Sequence, residues 1–267
     1  TAESYRGMPE MLGIALKGRY RGYDLVAVPP PVAGAALIEM LQILEHFDLA
    51  RNPPLSPINV HLMAEAMKRG YADHSAFVAD PAFVKVPLDK MLSREYAAKR
   101  ASEIRPDQLT PQVTAGDLGA QESASTTTLC AADQKGNIVA LTQTISDHMG
   151  AKVAVPGTGI FLNNEMKNFS SKGINAIASG KRMRGTQAPT VVLKDGRPYA
   201  ALGTPGGGRI VSTMTILLSN LIDHKMSIQQ AIESPRFYAR DTENDLSVEA
   251  RMPKATVEAL TQMGYTF

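Results

Sequence analysis

The spacing of apolar residues predicts a chain in two halves, mostly helical before residue 105 and strand-rich after residue 125. Tyr23 to Val28 alternate as a short strand and run into Pro29-Pro30-Pro31, which breaks regular structure. From Ala35 to Phe47 the residues Leu37, Met40, Leu41 and Leu44 recur at helical spacing. Ser56-Pro57 supplies a cap and a first-turn proline for a second helix, with Leu62, Met63, Ala66 and Met67 along one face. A third helix is expected over Asp89 to Ile104. Arg105 to Ser125 has few large apolar groups and no sustained period. It reads as a loop of about twenty residues, a length that marks functional or disordered segments.

Beyond that loop, Thr126 to Ala132 and Ile138 to Thr144 are extended runs flanking the turn Asp133-Gln134-Lys135-Gly136-Asn137. Further strands are expected at Thr190 to Leu193 and Tyr199 to Leu202, and helices at Ile210 to Ile222 and Pro253 to Met263. Helices mixed with strands around a central hairpin indicate an α+β or layered α/β/β/α domain, with no internal repeat. If the turn is centred on Lys135, Thr144 lies directly across from Thr126. Cross-strand Cβ atoms sit about 4.5–5.5 Å apart, so the two hydroxyls can touch unless a bulge shifts the register. Taken alone, three threonines opening a strand need mean no more than that Thr favours strands.

Composition narrows the function classes. A net charge of +2 on 267 residues points to neither nucleic acid nor an anionic membrane as partner. The apolar runs fall far short of the roughly 20 residues of a membrane-spanning helix. Cys130 is the only cysteine, which rules out an intrachain disulfide and a cysteine metal cage but leaves the compartment undecided. On a strand it is expected to be buried, and without a paired His it is no nucleophile. Residues 1–20 lack the regions of a signal peptide, and the text opens without Met as if mid-domain, as a fragment or processed chain would. His46, His61, His74, His148 and His224 have no metal-ligand spacing. Asp80-Pro81 reads as a turn.

Three blocks carry a wider match: TTTLCAADQKGNIVALTQTISDHMG from Thr126, GTGIFLNNEMKNF from Gly157 and GTPGGGRI from Gly203. Together with YRGYDLVAVPPP, EAMKRGYADHSAF and DPAFVKVP upstream, they resemble the γ-glutamyltransferase family in order and spacing over nearly the whole chain. The resemblance implies an N-terminal-nucleophile (Ntn) hydrolase fold, a four-layer α/β/β/α sandwich. It implies a precursor that cuts itself before Thr126. Residues 1–125 are then the C-terminal part of a large subunit ending in a processing loop, and 126–267 a small subunit, the two forming part of one catalytic domain. Thr126 becomes the nucleophile, its freed α-amine, with a reference pKa of about 7.7–8.0, taking the hydroxyl proton. Thr144 matches the threonine that supports the nucleophile. Gly206 and Gly207 match the glycines whose N–H groups form an oxyanion hole, ahead of a helix N-terminus at Ile210.

Recognition positions depart from the family pattern. Thr128 replaces a His, and Ser146 stands where members often carry Asn. Glu165 keeps the polar group for a glutamyl amine, but Asn168 replaces an acidic residue. The usual Ser-Ser pair falls at Gly185-Thr186, next to Arg184, which is available to an acid substrate lacking an α-amine. The family's arginine for the α-carboxylate falls before residue 1. The resemblance therefore implies a γ-glutamyltransferase-like enzyme cleaving glutathione-type amides by hydrolysis or transpeptidation. One alternative is an amidohydrolase or acylase of the same family acting on another acyl group, and a second is a non-catalytic homologue that binds. No cofactor or metal is implied. The expected partners are a small-molecule amide and the missing N-terminal part of the large subunit, with a large/small heterodimer after cleavage. The compartment stays open: periplasmic or secreted by resemblance, with the cytoplasm as the alternative.

Overall fold

A computed structural model describes residues 14–114, 126–240 and 244–267. Residues 115–125, the rest of the expected processing loop, lie outside the described residues.

Helix α1 (Gly34–Leu44) is buried at every position and forms the middle of the core. Ala35, Ala36, Leu37, Ile38, Met40, Leu41, Ile43 and Leu44 leave it no solvent face, and the two polar residues among them, Glu39 and Gln42, are buried as well. Helix α2 (Pro57–Phe77) starts where expected, with Pro57 in its first turn and the Ser56 hydroxyl accepting from the Asn59 N–H at 3.4 Å. It crosses α1 at Gly70, where a Cβ would stand 2.5 Å from Met40 Cγ, so a larger residue would have to displace the Met40 side chain.

The expected third helix is two. Short α3 (Leu88–Met91) stops, and α4 (Arg94–Ser102) restarts on Ser93, whose hydroxyl accepts from the Tyr96 N–H at 3.1 Å. Helical period continues through Leu92-Ser93, but a serine able to cap offers the backbone another partner and ends the run. Beyond α4 the chain is irregular to residue 114. It is held by a buried charge cluster on α2: Glu65 joins Lys68 at 3.2 Å and Arg69 at 2.7 Å, and accepts the Thr110 N–H at 3.3 Å.

Strands β1 (Leu16–Tyr20) and β2 (Tyr23–Ala27) pair with β5 (Thr190–Lys194) and β6 (Arg197–Leu202) as one antiparallel sheet in the order β1-β2-β5-β6. Helices α1, α2 and α5 (Ile210–Ile222) supply the other wall of the core, α5 buried along its whole length. A separate hairpin, β3 (Thr126–Ala132) and β4 (Ile138–Thr144), stands beside β6. The short pair β7 (Phe237–Ala239) and β8 (Leu246–Val248) and helices α6 (Ile228–Glu233) and α7 (Lys254–Gln262) complete the described residues. The fold is therefore a mixed α/β one.

Cys130 is exposed, contrary to expectation. The outer face of the hairpin, with Leu129 61% and Val139 56% exposed, has nothing packed on it within the described residues. Cys130 lies on the opposite face, with Thr126 and Thr128, and is open there too, because strand propensity places a residue on a sheet but does not decide what covers it.

Candidate active site

The site is built on the open end of the β3–β4 hairpin. Its register is the one the turn dictates, with Thr126 opposite Thr144 and Thr128 opposite Thr142. Asp133 fixes that turn by accepting the backbone N–H groups of Lys135 at 2.9 Å and Asn137 at 2.8 Å. The Thr126 hydroxyl consequently donates to Thr144 Oγ1 at 3.2 Å, and the Thr128 and Thr142 hydroxyls meet at the same distance. Thr144 Oγ1 also accepts the Ser146 N–H at 2.9 Å. Ser146 is fully buried at φ 77°, a left-handed conformation uncommon for a residue with a Cβ, and that turn aims its N–H back at Thr144.

The next corner is clipped to the Asn163–Asn168 segment. Asn164 donates to Asp147 at 2.6 Å, and the Lys167 ammonium pairs with the same carboxylate at 2.5 Å. Glu165, 8% exposed, accepts from the Asn168 amide, while its own N–H donates to Asn163 Oδ1 at 2.9 Å. Burial pushes the Glu165 carboxyl above the ordinary carboxylate range, against the opposing pull of Lys167 and the Asn168 amide.

Thr144 and Glu165 open into one cleft of about 910 Å³. One wall is the Pro29–Pro31 corner that follows β2, and Lys181, Arg182 and Met183 line the other side. The charges there are tethered. Arg182 sends its backbone N–H to Asp80 Oδ2 at 2.8 Å and its guanidinium to Asp80 Oδ1 at 2.6 Å. Lys181 donates to the carbonyls of Ile174 and Ala176 and lies 5.4 Å from the centre of the Phe83 ring. Gly185 is tied to the same corner, its N–H donating to Pro31 O at 3.1 Å, and Thr186 follows it half-buried. Arg184 instead lines a neighbouring cleft of about 500 Å³, where it donates to Ser75 O at 2.7 Å. The sequence gives Asp80 only a turn and assigns no role to Lys181 or Arg182. No spacing signal joins residues 102 positions apart.

Burial pushes the Asp80 carboxyl up, but the hydrogen bonds from Arg182 and Ala82 outweigh it and hold the group below its ordinary value. A depressed carboxylate stabilises the fold above its unfolded pKa of about 3.9 and loses that contribution as the pH falls through its folded value. Asp80→Asn is expected to destabilise the protein by about 2 kcal/mol at pH 7. Denaturant melts of variant and wild type should converge below pH 4; a constant gap down to pH 3 would rule out the charge as the cause.

The glycine run follows β6. Gly203 presses on the hairpin, where a Cβ would stand 2.3 Å from Thr128 Cγ2. Gly206 at φ 138° and Gly207 at φ 55° carry the chain into a single 3₁₀ turn, Gly207–Arg209, and then α5. The Arg209 N–H closes the turn on Gly206 O at 3.0 Å.

Comparison with known proteins gives the family. The Gamma-glutamyltranspeptidase family, by its sequence model, matches residues 5–267. The chain belongs to the γ-glutamyltranspeptidase family. Among its relatives, the Acylase ACY 1 proenzyme of Pseudomonas sp. (strain SE83) is 43% identical over 253 residues, covering 94% of this chain and 45% of the relative. The glutathione hydrolase proenzyme of Escherichia coli (strain K12) is 34% identical over 264 residues, covering 93% and 46%. The crystal structure of cephalosporin acylase from Bacillus halodurans superposes with a TM-score of 0.83 at 29% identity, over 94% of this chain and 45% of that one. The chain thus spans about half the length of the family members it matches.

Proposed function

We propose that this chain forms the catalytic portion of an amide-cleaving Ntn enzyme that cuts itself before Thr126. The observation that carries the reading is the line from Thr126 Oγ1 to Thr144 Oγ1 to the Ser146 N–H, at the edge of a cleft large enough for a small amide. Thr144 Oγ1 accepts from both neighbours, which orients the Thr126 hydroxyl. After the cut, the freed α-amine of Thr126 takes the hydroxyl proton as the oxygen attacks the amide carbon. The N–H groups of Gly206 and Gly207 receive the developing oxyanion. Collapse expels the amine, which takes the proton back, and leaves an ester on Thr126. Water then releases the acid, or a second amine takes the acyl group.

The finer architecture of the reading is the four-layer α/β/β/α sandwich. In support, the β3–β4 hairpin exposes Leu129, Val139 and Leu141, the face that the remainder of a full-length family member would cover. The two parts, residues up to 125 and from 126, stay together after cleavage as large- and small-subunit portions.

Two acyl groups fit the proposal. A γ-glutamyl group carries an ammonium, and Glu165 is the carboxylate in the cleft to meet it. An acyl group without that ammonium is favoured by Asn168 in place of a second acid and by Lys181 and Arg182 along the cleft. The test uses full-length protein, a panel of acyl anilides and intact mass of the fragment beginning at Thr126. An adduct with any of them supports the mechanism; none with the whole panel overturns it. The pH dependence separates the two donors. Glu165 is charged only above its raised pKa, so KM for a γ-glutamyl anilide should climb tenfold or more as the pH falls through that value. For an acyl group with no amine, KM should stay flat.

A further inference from the structure

Tyr71 lies on α2, before the proposed cut, yet among the described residues its phenol oxygen bonds to the glycine run and the helix start that come after the cut. Its phenol donates to Gly208 O at 2.8 Å and accepts the Ser212 N–H at 3.1 Å, with Ser212 Oγ also 3.1 Å away. One oxygen therefore bridges the end of the glycine run and the first turn of α5. Ser212 Oγ in turn donates to Arg209 O at 3.1 Å, so the 3₁₀ turn is gripped at two points. The ring has little freedom. Tyr71 is 4% exposed and meets Tyr238 edge-on at 5.5 Å, with the Arg209 guanidinium 5.8 Å from the Tyr238 ring. Burial keeps the phenol protonated far above the ordinary tyrosine range, so it remains a donor to Gly208 at any working pH.

We infer that Tyr71 is a positioning residue that presets the Gly206 and Gly207 peptide groups for the tetrahedral intermediate, an inference resting on the acyl-transfer reading above. Three consecutive glycines have more backbone freedom to lose than any other run, and an oxyanion hole is effective only when its donors are already in place. A displacement of about 1 Å at such a site costs on the order of a hundredfold in rate. The anchor against this is supplied by the portion of the chain before residue 126. The upstream part would thus shape the chemistry directly after the cut, and not merely remain attached.

The test is Tyr71→Phe in the full-length protein, which keeps the ring and removes the oxygen. Rates are measured per Thr126 titrated by the burst of p-nitroaniline from the acyl p-nitroanilide that acylates the wild type, so a misfolded fraction drops out. The expected result is a fall of about tenfold in kcat with KM within twofold. The boronic acid analogue of the same acyl group, which forms a tetrahedral adduct, should lose affinity by the same factor, while the free acid product binds as before. A merely structural role lowers the melting temperature but leaves kcat per titrated site within twofold, and that result overturns the inference. So does a rise in KM at constant kcat. A wild-type protein that forms no adduct at Thr126 and releases no p-nitroaniline with any of the anilides overturns the acyl-transfer reading itself, and this inference with it.

Discussion

Thr126→Ala in the full-length protein is expected to yield one uncut chain with activity lowered by roughly 10⁴-fold or more. Removal of a nucleophile from a concerted catalytic group has effects of that order. In the proposed mechanism the same hydroxyl opens the peptide bond before residue 126 and later attacks substrate, so a single change removes both events. Thr126→Ser keeps the oxygen but loses the β-branch that limits χ1 rotation. With Thr144 Oγ1 still 3.2 Å away as acceptor, the serine form should cut itself slowly and retain partial activity. Intact mass and N-terminal sequencing read both variants. Efficient cleavage before residue 126 in the alanine form would show that the nucleophile lies elsewhere.

Gly206→Ala is expected to lower kcat by about 10²–10³-fold with a much smaller change in KM, the range seen when one oxyanion donor is lost. Space is not the obstacle, since a Cβ there would first meet Arg209 Cβ at 3.7 Å. The obstacle is φ 138°, a conformation that costs a residue with a side chain about 1–3 kcal/mol. The loop relieves that strain by rotating the peptide groups the reaction uses. Gly157→Ala is the control. Gly157 also has a positive φ, 75°, with open space around it, and it lies on an exposed turn. It should lose stability without losing kcat. Equal losses of kcat in both variants would assign the effect to general strain.

Where local chemistry decides the structure, the sequence could be read. Asp133, Gly136 and Asn137 dictate a turn, and the turn dictates which threonines face each other. The run from Ile210 to Ile222 is a helix at the expected bounds because Ile210, Met214, Leu217, Leu218 and Leu221 recur at helical spacing and a glycine run precedes it. Other elements depend on partners far along the chain. Strand β1, LKGRY, has apolar residues only at its ends, and β2 beside it makes it a strand. The exposure of Cys130 depends on what covers the hairpin, not on the hairpin. Arg182 and Arg184 are indistinguishable by composition. Asp80 draws one into the Thr144 cleft, while Ser75 O holds the other in the next. The Tyr71 contact spans 137 positions, and no spacing pattern announces it.

The Asp133–Asn137 turn touches nothing in the cleft and lies at the far end of two seven-residue strands, roughly 20 Å away at about 3.4 Å per residue. It nevertheless sets the phase of the whole ladder. One residue more or fewer in the turn moves Thr144 out of line with Thr126 and turns alternate side chains to the opposite face. No irregularity between Ala132 and Thr126 absorbs the slip, whereas the β5–β6 pair already shifts register at Val192/Leu193. The solvent-facing tip of this hairpin can therefore drift in the identity of Gln134 or Lys135 while its length stays fixed. Selection acting on chemistry at one end is recorded as a residue count at the other.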